Sequence, residues 1–93
     1  MGFVLKDQDQ IYRQIDYIIE DETLGEISWK EIDGIMHMSH TYVSPLLRGQ
    51  GIAGQLLDEA ALYARQHNLK MNAICSYVVR AFQLEGKYDD VQI

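Results

Sequence analysis

One segment of the chain, residues 35–57, has an order of features that restricts the fold more than any other. The stretch from Ile35 to Val43 predicts a strand, Pro45 follows its end, and the glycines at positions 49 and 51 predict tight backbone turns. Helical spacing then sets in, with apolar residues at Ile52, Ala53, Leu56, Leu57, Ala60, Tyr63 and Ala64. The segment therefore predicts a strand that leads through a glycine loop into an amphipathic helix.

Two further strands are predicted before this segment. Residues 11–19 place apolar side chains on alternate positions, and residues 24–32 alternate between a partly apolar and a polar face. The acidic residues 20–22 predict a turn between them. Asp33-Gly34 predicts a type I′ hairpin turn, because aspartate tolerates the positive φ that glycine adopts freely.

The regions beyond the central segment complete the predicted fold. Asn68 is expected to cap the first helix, residues 70–74 predict a strand, and Ser76 is expected to cap a last helix that Gly86 stops. Phe3-Val4-Leu5 gives a weak signal for an extra strand, and the polar tail from Lys87 is expected to be loosely held. The predicted class is α/β (α+β), a mostly antiparallel sheet of about four to five strands with two helices, in the order β-β-β-α-β-α.

Composition limits the possible functions. The 93 residues predict one domain over 1–93, and a net charge of -6 argues against a nucleic-acid partner. Cys75 is the single cysteine, so no internal disulfide can form. The sequence shows no apolar stretch long enough for a membrane segment or signal peptide, so we expect a cytoplasmic location with no membrane partner.

The glycine loop carries the clearest chemical signal. Successive backbone N–H groups that run into a helix N-terminus attract an anion such as a pyrophosphate, and small residues let the ligand approach the backbone. The predicted ligand-binding residues of the loop and helix start are Arg48, Gly49, Gln50, Gly51, Ile52, Ala53 and Gly54.

This segment resembles the acetyl-CoA signature of the GNAT superfamily of N-acetyltransferases. The run Val43-Ser44-Pro45-Leu46-Leu47-Arg48-Gly49-Gln50-Gly51-Ile52-Ala53 fits the pattern Q/R-x-x-G-x-G/A, with Arg48, Gly51 and Ala53 at its fixed positions. The resemblance implies acetyl-CoA as co-substrate, and no metal site is predicted from the residues. It also implies that Thr41, Tyr42 and Val43, at the end of the strand, pair with the pantetheine arm.

A narrower resemblance is to a subfamily of very short GNAT-like proteins, the YjdJ type. The shared marks are Ser39-His40-Thr41, Asn68-Leu69-Lys70 and Ile74-Cys75-Ser76-Tyr77-Val78. The chain departs from that group near its end, where Glu85-Gly86-Lys87-Tyr88 replaces a proline and a tyrosine.

Three residues are candidates for catalysis, each with a structural alternative. Cys75 could take the acetyl group as a nucleophile, helped by the following helix N-terminus, or it could simply fill space. His40 could act as general base for an amine, or as a hydrogen-bonded structural histidine. Tyr77 resembles in position the tyrosine that protonates the departing thiolate in many GNAT enzymes, although most tyrosines only pack.

Two further interpretations concern polar residues of the predicted strands. Glu26 is an alternative base by its strand position, and a solvated carboxylate is the simpler interpretation. His37 and His40 are three positions apart on one strand, so we expect them on opposite faces and unable to chelate one metal.

The sequence thus predicts an acetyl-CoA-dependent N-acetyltransferase for an unidentified amine, either a small molecule or a protein. The chain stops before the strands that wall the acceptor pocket in larger relatives, so the acceptor site is expected to be open or completed in a homodimer. Transfer could be direct or pass through Cys75. The alternative is a non-catalytic module of the same fold that binds coenzyme A or serves as an interaction domain.

Overall fold

The computed structural model of the chain describes residues 2–7 and 9–93, and in them a five-stranded sheet with two helices. The strands lie in sequence order across the sheet, antiparallel except for the last pair. Their bounds are β1 Gly2–Asp7, β2 Tyr12–Ile19, β3 Glu22–Ile32, β4 Ile35–Val43 and β5 Lys70–Ala73. The helices are α1 Ile52–Gln66 and α2 Ser76–Leu84, and short 3-10 turns lie at Pro45–Leu47 and Gly86–Tyr88. The predicted fold class is confirmed. Residues 3–5, which give only a weak strand signal in the sequence, lie within the full strand β1.

Two tight turns set the antiparallel part of the sheet. Asp33 and Gly34 have φ values of 53° and 78°, which both central positions of the predicted hairpin turn require. Glu20 and Asp21, with φ of 49° and 66°, make a second such turn between β2 and β3. Together with Asn68, whose φ is 56° just after α1, these positions confirm the turns that the sequence predicts.

The core lies between α1 and one face of the sheet, which we call the helix face. Ile27 and Trp29 of β3, Met36 and Met38 of β4, and Leu56 of α1 are fully buried there. A methyl group at Gly25 would lie 3.3 Å from Leu56 Cδ1 and 3.3 Å from the Tyr42 carbonyl oxygen. The glycine therefore lets α1 approach β3 closely, and it fixes where the helix begins over the sheet.

The opposite side of the sheet, which we call the far face, carries polar side chains. Asp16, Glu26 and Ser28 alternate with the buried residues of β2 and β3, so they point away from α1. Asp16 is 1% exposed although it is a carboxylate.

A bulge in β4 changes which residues reach each face. Trp29 pairs with Met38 and Ser28 pairs with His40, so Ser39 is an extra residue. The extra residue places His40 on the far face and Thr41 on the helix face. His37, which pairs with Lys30, also lies on the far face. The expectation that His37 and His40 lie on opposite faces is therefore wrong, because it assumed an unbroken strand.

The last strand pair is parallel and short. β5 follows β4 only as far as the pair Met38 and Ala73, after which the Met38 carbonyl accepts the amides of Ile74 and Cys75. Beyond that point the chain enters α2, so the two strands separate. Residues 39–43 are left with one β-paired edge, toward β3, within the described part of the chain.

The C-terminal region differs from the sequence-based expectation in two ways. Cys75 is the N-cap of α2 and Ser76 its first residue, because the chain turns into the helix directly from its bonds to β4. The tail is held rather than loose: Tyr88 and Val91 are each 2% exposed. Neither helix in the described part of the chain has the length and apolar character needed to cross a membrane.

Candidate functional site

The glycine loop presents backbone donors for which the described residues supply no acceptor. Gly49 and Gly51 have φ of 84° and 74°, a conformation that favours glycine, and Gly51 is the N-cap of α1 with no side-chain cap. Among residues 48–54, the amide of Arg48 donates to the Pro45 carbonyl, that of Gln50 to the Leu47 carbonyl. Within residues 2–7 and 9–93, no acceptor is found for the amides of Gly49, Gly51, Ile52, Ala53 and Gly54.

These free amides have a favourable electrostatic setting for an anion. The first turn of α1 has no acidic residue that would occupy them, and the helix dipole places partial positive charge at this end. Arg48 is exposed in the same loop and adds a full positive charge. Of the seven predicted loop residues, two have amides already engaged, so five backbone donors remain for a ligand.

A cleft of about 460 Å³ opens beside this end of α1. Gly51, Gly54, Gln55 and Asp58 line it from the loop and α1. The wall opposite is formed by α2 and the segment after it, with Tyr77, Arg80, Ala81, Leu84, Glu85 and Lys87. This volume lies within the range usual for small-molecule sites.

The separation of β4 from β5 places Cys75 beside the end of β4. Its thiol donates to Thr41 Oγ1 at 3.6 Å, and the side chain is partly buried at the N-cap of α2. Val43 packs against the core, whereas Tyr42 lies on the far face and is 46% exposed. The predicted pantetheine-binding residues Thr41, Tyr42 and Val43 therefore share one backbone edge, but their side chains do not lie on one surface.

His40 is held on the far face by a carboxylate. Its Nε2 lies 3.3 Å from Glu26 Oε1, and the imidazole is 55% exposed. Glu26 also accepts a hydrogen bond from the Gln14 amide at 2.9 Å. Cys75, through its contact with Thr41, and His40 thus lie on different sides of β4. No hydrogen bond among the described residues links them.

Tyr77 lies in the cleft, next to the start of α1. Its hydroxyl is 3.6 Å from the position that a methyl group at Gly54 would take. Burial, followed by the negative charges of Glu85 and Asp58, raises the pKa of Tyr77 above its usual value. The phenol therefore stays protonated at neutral pH.

The buried residue Asp16 was missed by the sequence reasoning. Lys6 Nζ lies 2.8 Å from Asp16 Oδ2, and the Gln14 amide donates to Asp16 Oδ1 as well as to Glu26. This chain of contacts runs from β1 through β2 and β3 to His40 on β4. The sequence signal was a charged residue between Ile15 and Tyr17, which alternation alone assigns to a solvated face.

No cluster of three or more metal-ligating side chains (histidine, cysteine, aspartate or glutamate) occurs in the described ranges. His37 Nδ1 lies 3.1 Å from the Asn72 amide, whereas His40 contacts Glu26. The two histidines share a face, but they have separate partners.

Fold and sequence together identify the family. The model of the GCN5-related N-acetyltransferase family matches residues 14–91, which include the glycine loop, both helices, β3, β4, β5 and β2 from Gln14 onward. The chain belongs to this family. None of the curated protein sequences matches it.

Solved structures agree with the family assignment. A GCN5-like protein from Staphylococcus aureus is 33% identical, with a TM-score of 0.71 over 97% of this chain and 87% of that one. The ribosomal-protein-alanine N-acetyltransferase of Brucella melitensis biovar Abortus 2308 shares the fold at 21% identity and a TM-score of 0.68, covering 85% of this chain and 64% of that one.

A third solved structure contains a coenzyme A derivative. AAC(6')-Iy, in complex with the bisubstrate analogue CoA-S-monomethyl-acetylneamine, has a TM-score of 0.64 at 15% identity, covering 85% of this chain and 63% of that one. The chain thus spans less than two thirds of these two longer structures. At such identities the likeness concerns the fold alone.

Proposed function

We propose that this protein transfers an acetyl group from acetyl-CoA to an amine, as a member of the short YjdJ-type group within its family. The observation that carries the proposal is the set of five unbonded amides at residues 49 and 51–54, at the edge of a cleft. Such a helix start binds anions, and a diphosphate is one of them. The family's acetyl-CoA chemistry and the coenzyme A derivative bound in a structural neighbour support the same ligand.

The cofactor would lie along the separation of β4 and β5. Its pyrophosphate would accept hydrogen bonds from the loop amides beside Arg48. Its pantetheine amides would pair with the unpaired edge of residues 39–43, as a neighbouring strand would. The thioester would then lie near Thr41 and Cys75, where the two strands part.

The acceptor would approach from the far face. His40 is exposed there and would remove a proton from the amine, whose nitrogen then bonds to the carbonyl carbon of the thioester. The carbon–sulfur bond breaks, and the coenzyme A thiolate takes the proton of the Tyr77 hydroxyl. Holding amine and thioester in line can remove roughly 7–11 kcal/mol of the barrier in favourable cases.

Glu26 would act as a positioning residue for His40. Its carboxylate holds Nε2 at 3.3 Å and so leaves Nδ1 as the nitrogen available to an amine. Gln14 in turn fixes Glu26 from the neighbouring strand.

Transfer through Cys75 is the second route. The Cys75 thiolate would attack the thioester carbonyl carbon and expel the coenzyme A thiolate. An amine would then take the acetyl group from the cysteine and release the Cys75 thiolate. The hydrogen-bond partner of the thiol among described residues is Thr41, which is not a base. This contact favours direct transfer.

The same contact also favours a second candidate function, that of a non-catalytic module that binds coenzyme A. A cysteine whose thiol contacts Thr41 and no base among the described residues suits a sensor or an interaction domain, alone or as a homodimer. Acetyl transfer to an acceptor, whether a small molecule or a protein, would distinguish the enzyme from the non-catalytic module.

Ligand-dependent melting tests the binding step. Acetyl-CoA at about 100 times its dissociation constant should raise the free energy of unfolding by about 2.7 kcal/mol, a shift of many degrees for a chain of this size. No shift at millimolar acetyl-CoA would exclude both the enzyme and the coenzyme A sensor.

Thiol release with mixed amines and peptides then separates enzyme from module. The enzyme predicts amine-dependent release that falls in the variant His40→Ala, and mass spectrometry of the protein reports any acetyl group on Cys75. Equal slow release by the wild type, His40→Ala and Cys75→Ala would favour the module.

A further inference from the structure

The basic side chains of the chain divide into two groups. The sequence has eight lysines and arginines. Six of them have partners within the protein: Lys6 with Asp16, Arg13 with Asp7 and Glu31, Lys30 with the Tyr12 ring, Arg65 with Asp90, Lys70 with the Asp90 carbonyl, and Lys87 with Asp58 and Glu85. The side chains of Arg48 and Arg80 have neither an ion pair nor a hydrogen bond to the other described residues.

Both unpartnered cations lie near the free amides. Arg48 belongs to the glycine loop itself, and Arg80 lines the cleft together with Gly51 and Gly54. A guanidinium is suited to phosphate oxygens, because its donors match them in pairs. One of these two cations therefore belongs to the glycine loop, and the other lines the cleft beside it.

The cleft lining carries two carboxylates, Asp58 and Glu85, and two cations, Lys87 and Arg80. Lys87 Nζ lies 3.2 Å from Asp58 Oδ1 and 3.7 Å from Glu85 Oε2, and the Tyr88 hydroxyl donates to Asp58 at 2.5 Å. Lys87 thus contacts both carboxylates. Arg80 is exposed and contacts neither of them.

We propose that Arg80 binds the 3′-phosphate of coenzyme A, which deepens and rests on the proposed function. The loop amides and Arg48 lie at the start of α1 and suit the pyrophosphate. Arg80 projects from α2, on the opposite wall of the same cleft. The 3′-phosphate is the remaining dianion of the ligand, and it is separated from the pyrophosphate by the ribose.

The test compares coenzyme A with 3′-dephospho-coenzyme A, by calorimetry on the full chain. The wild type should prefer coenzyme A by about tenfold, the size expected for one charge-assisted phosphate contact. Arg80→Gln should lose this preference and bind both ligands alike. Arg48→Gln should weaken both ligands by the same factor and keep the preference. Lys30→Gln, which removes the same charge from the far side of the sheet, should change neither affinity.

The outcomes separate this inference from the function on which it rests. If the wild type binds neither ligand, the proposed function fails. If the wild type prefers coenzyme A and Arg80→Gln keeps that preference, or if Arg80→Gln weakens both ligands equally, Arg80 does not meet the 3′-phosphate and the inference is overturned. Melting of each variant without ligand confirms that the fold is intact.

Discussion

The helix face and the far face of the sheet offer two different kinds of polar surface. At the helix face, beside the start of α1, the donors are backbone amides without acceptors, next to two unpaired arginines. On the far face, the polar atoms satisfy one another in a chain from Lys6 through Asp16, Gln14 and Glu26 to His40. Among the described residues, the donors near the start of α1 are thus left without acceptors, whereas the side chains of the far face hold one another in fixed orientations.

Under the proposed function, this difference assigns one substrate to each face. The cofactor would need little more than main-chain geometry, which the glycine loop and α1 supply. The acceptor would need an oriented base, which the contacts across four strands would provide in His40. The bulge at Ser39 connects the two, because it turns His40 toward one face and Thr41 toward the other.

The largest effect expected from this division is on catalysis. His40→Ala should lower kcat by about 100-fold, within the usual contribution of a general base, and leave acetyl-CoA affinity unchanged. His37→Ala, on the same face but bonded to Asn72, is the matched control and should keep most of the activity. Steady-state kinetics and calorimetry measure both quantities. Equal kcat in the two variants would remove His40 from the mechanism.

The next effect concerns stability on the far face. Lys6→Met should cost about 2 kcal/mol, because it leaves the buried carboxylate of Asp16 without its cation, while the half-exposed position of Lys6 limits the loss. Urea unfolding measures this change. Adding Asp16→Asn to Lys6→Met should restore part of the stability. Acetyl-CoA affinity should not change; a loss of affinity would mean that the two faces are coupled.

A third test separates stability from binding at the helix face. Gly54→Ala should raise the free energy of unfolding by about 0.5–1 kcal/mol, since alanine is the better helix former and its methyl group meets only the Tyr77 hydroxyl at 3.6 Å. The same methyl group should weaken acetyl-CoA binding by about tenfold. Calorimetry of a variant that melts higher and binds as well as the wild type would contradict the placement of the phosphates.

The smallest expected effect is a pH dependence of stability at Tyr88, whose hydroxyl contacts the cleft residue Asp58. Burial and the hydrogen bond to Asp58 raise the pKa of Tyr88 far above that of a free tyrosine, about 10. Above pH 10 the unfolded chain loses a proton that folded Tyr88 keeps, so stability should fall as pH rises. Tyr88→Phe should cost about 1 kcal/mol at neutral pH and flatten this decline. Chemical unfolding between pH 7 and 11 measures it; an unchanged slope in the variant would assign the decline to other groups.

Local signals predicted the parts of the structure that depend on local chemistry. Positive φ at Asp33, Gly34, Gly49 and Gly51 follows from residue type, and the apolar spacing of α1 follows from its one buried face. The loop residues of the candidate site were predicted for the same reason.

The remaining features depend on pairing across the chain. β1 forms because it pairs with β2 from Gly2 to Asp7, although its own sequence is a weak strand signal. The bulge at Ser39 depends on register with β3, and it overturned the assignment of the histidines to opposite faces. The tail is held by Arg65, which bonds both Asp90 and the Lys87 carbonyl, a contact that no spacing reveals.

Amide chemical shifts during a coenzyme A titration test the central claim most directly. The account predicts that the largest shifts occur at the five free amides, Gly49, Gly51, Ile52, Ala53 and Gly54, while amides around Asp16 and Gln14 on the far face stay nearly constant. If coenzyme A binds and these loop amides do not shift, or if the main response lies on the far face, the diphosphate does not bind at the start of α1 and the account is wrong.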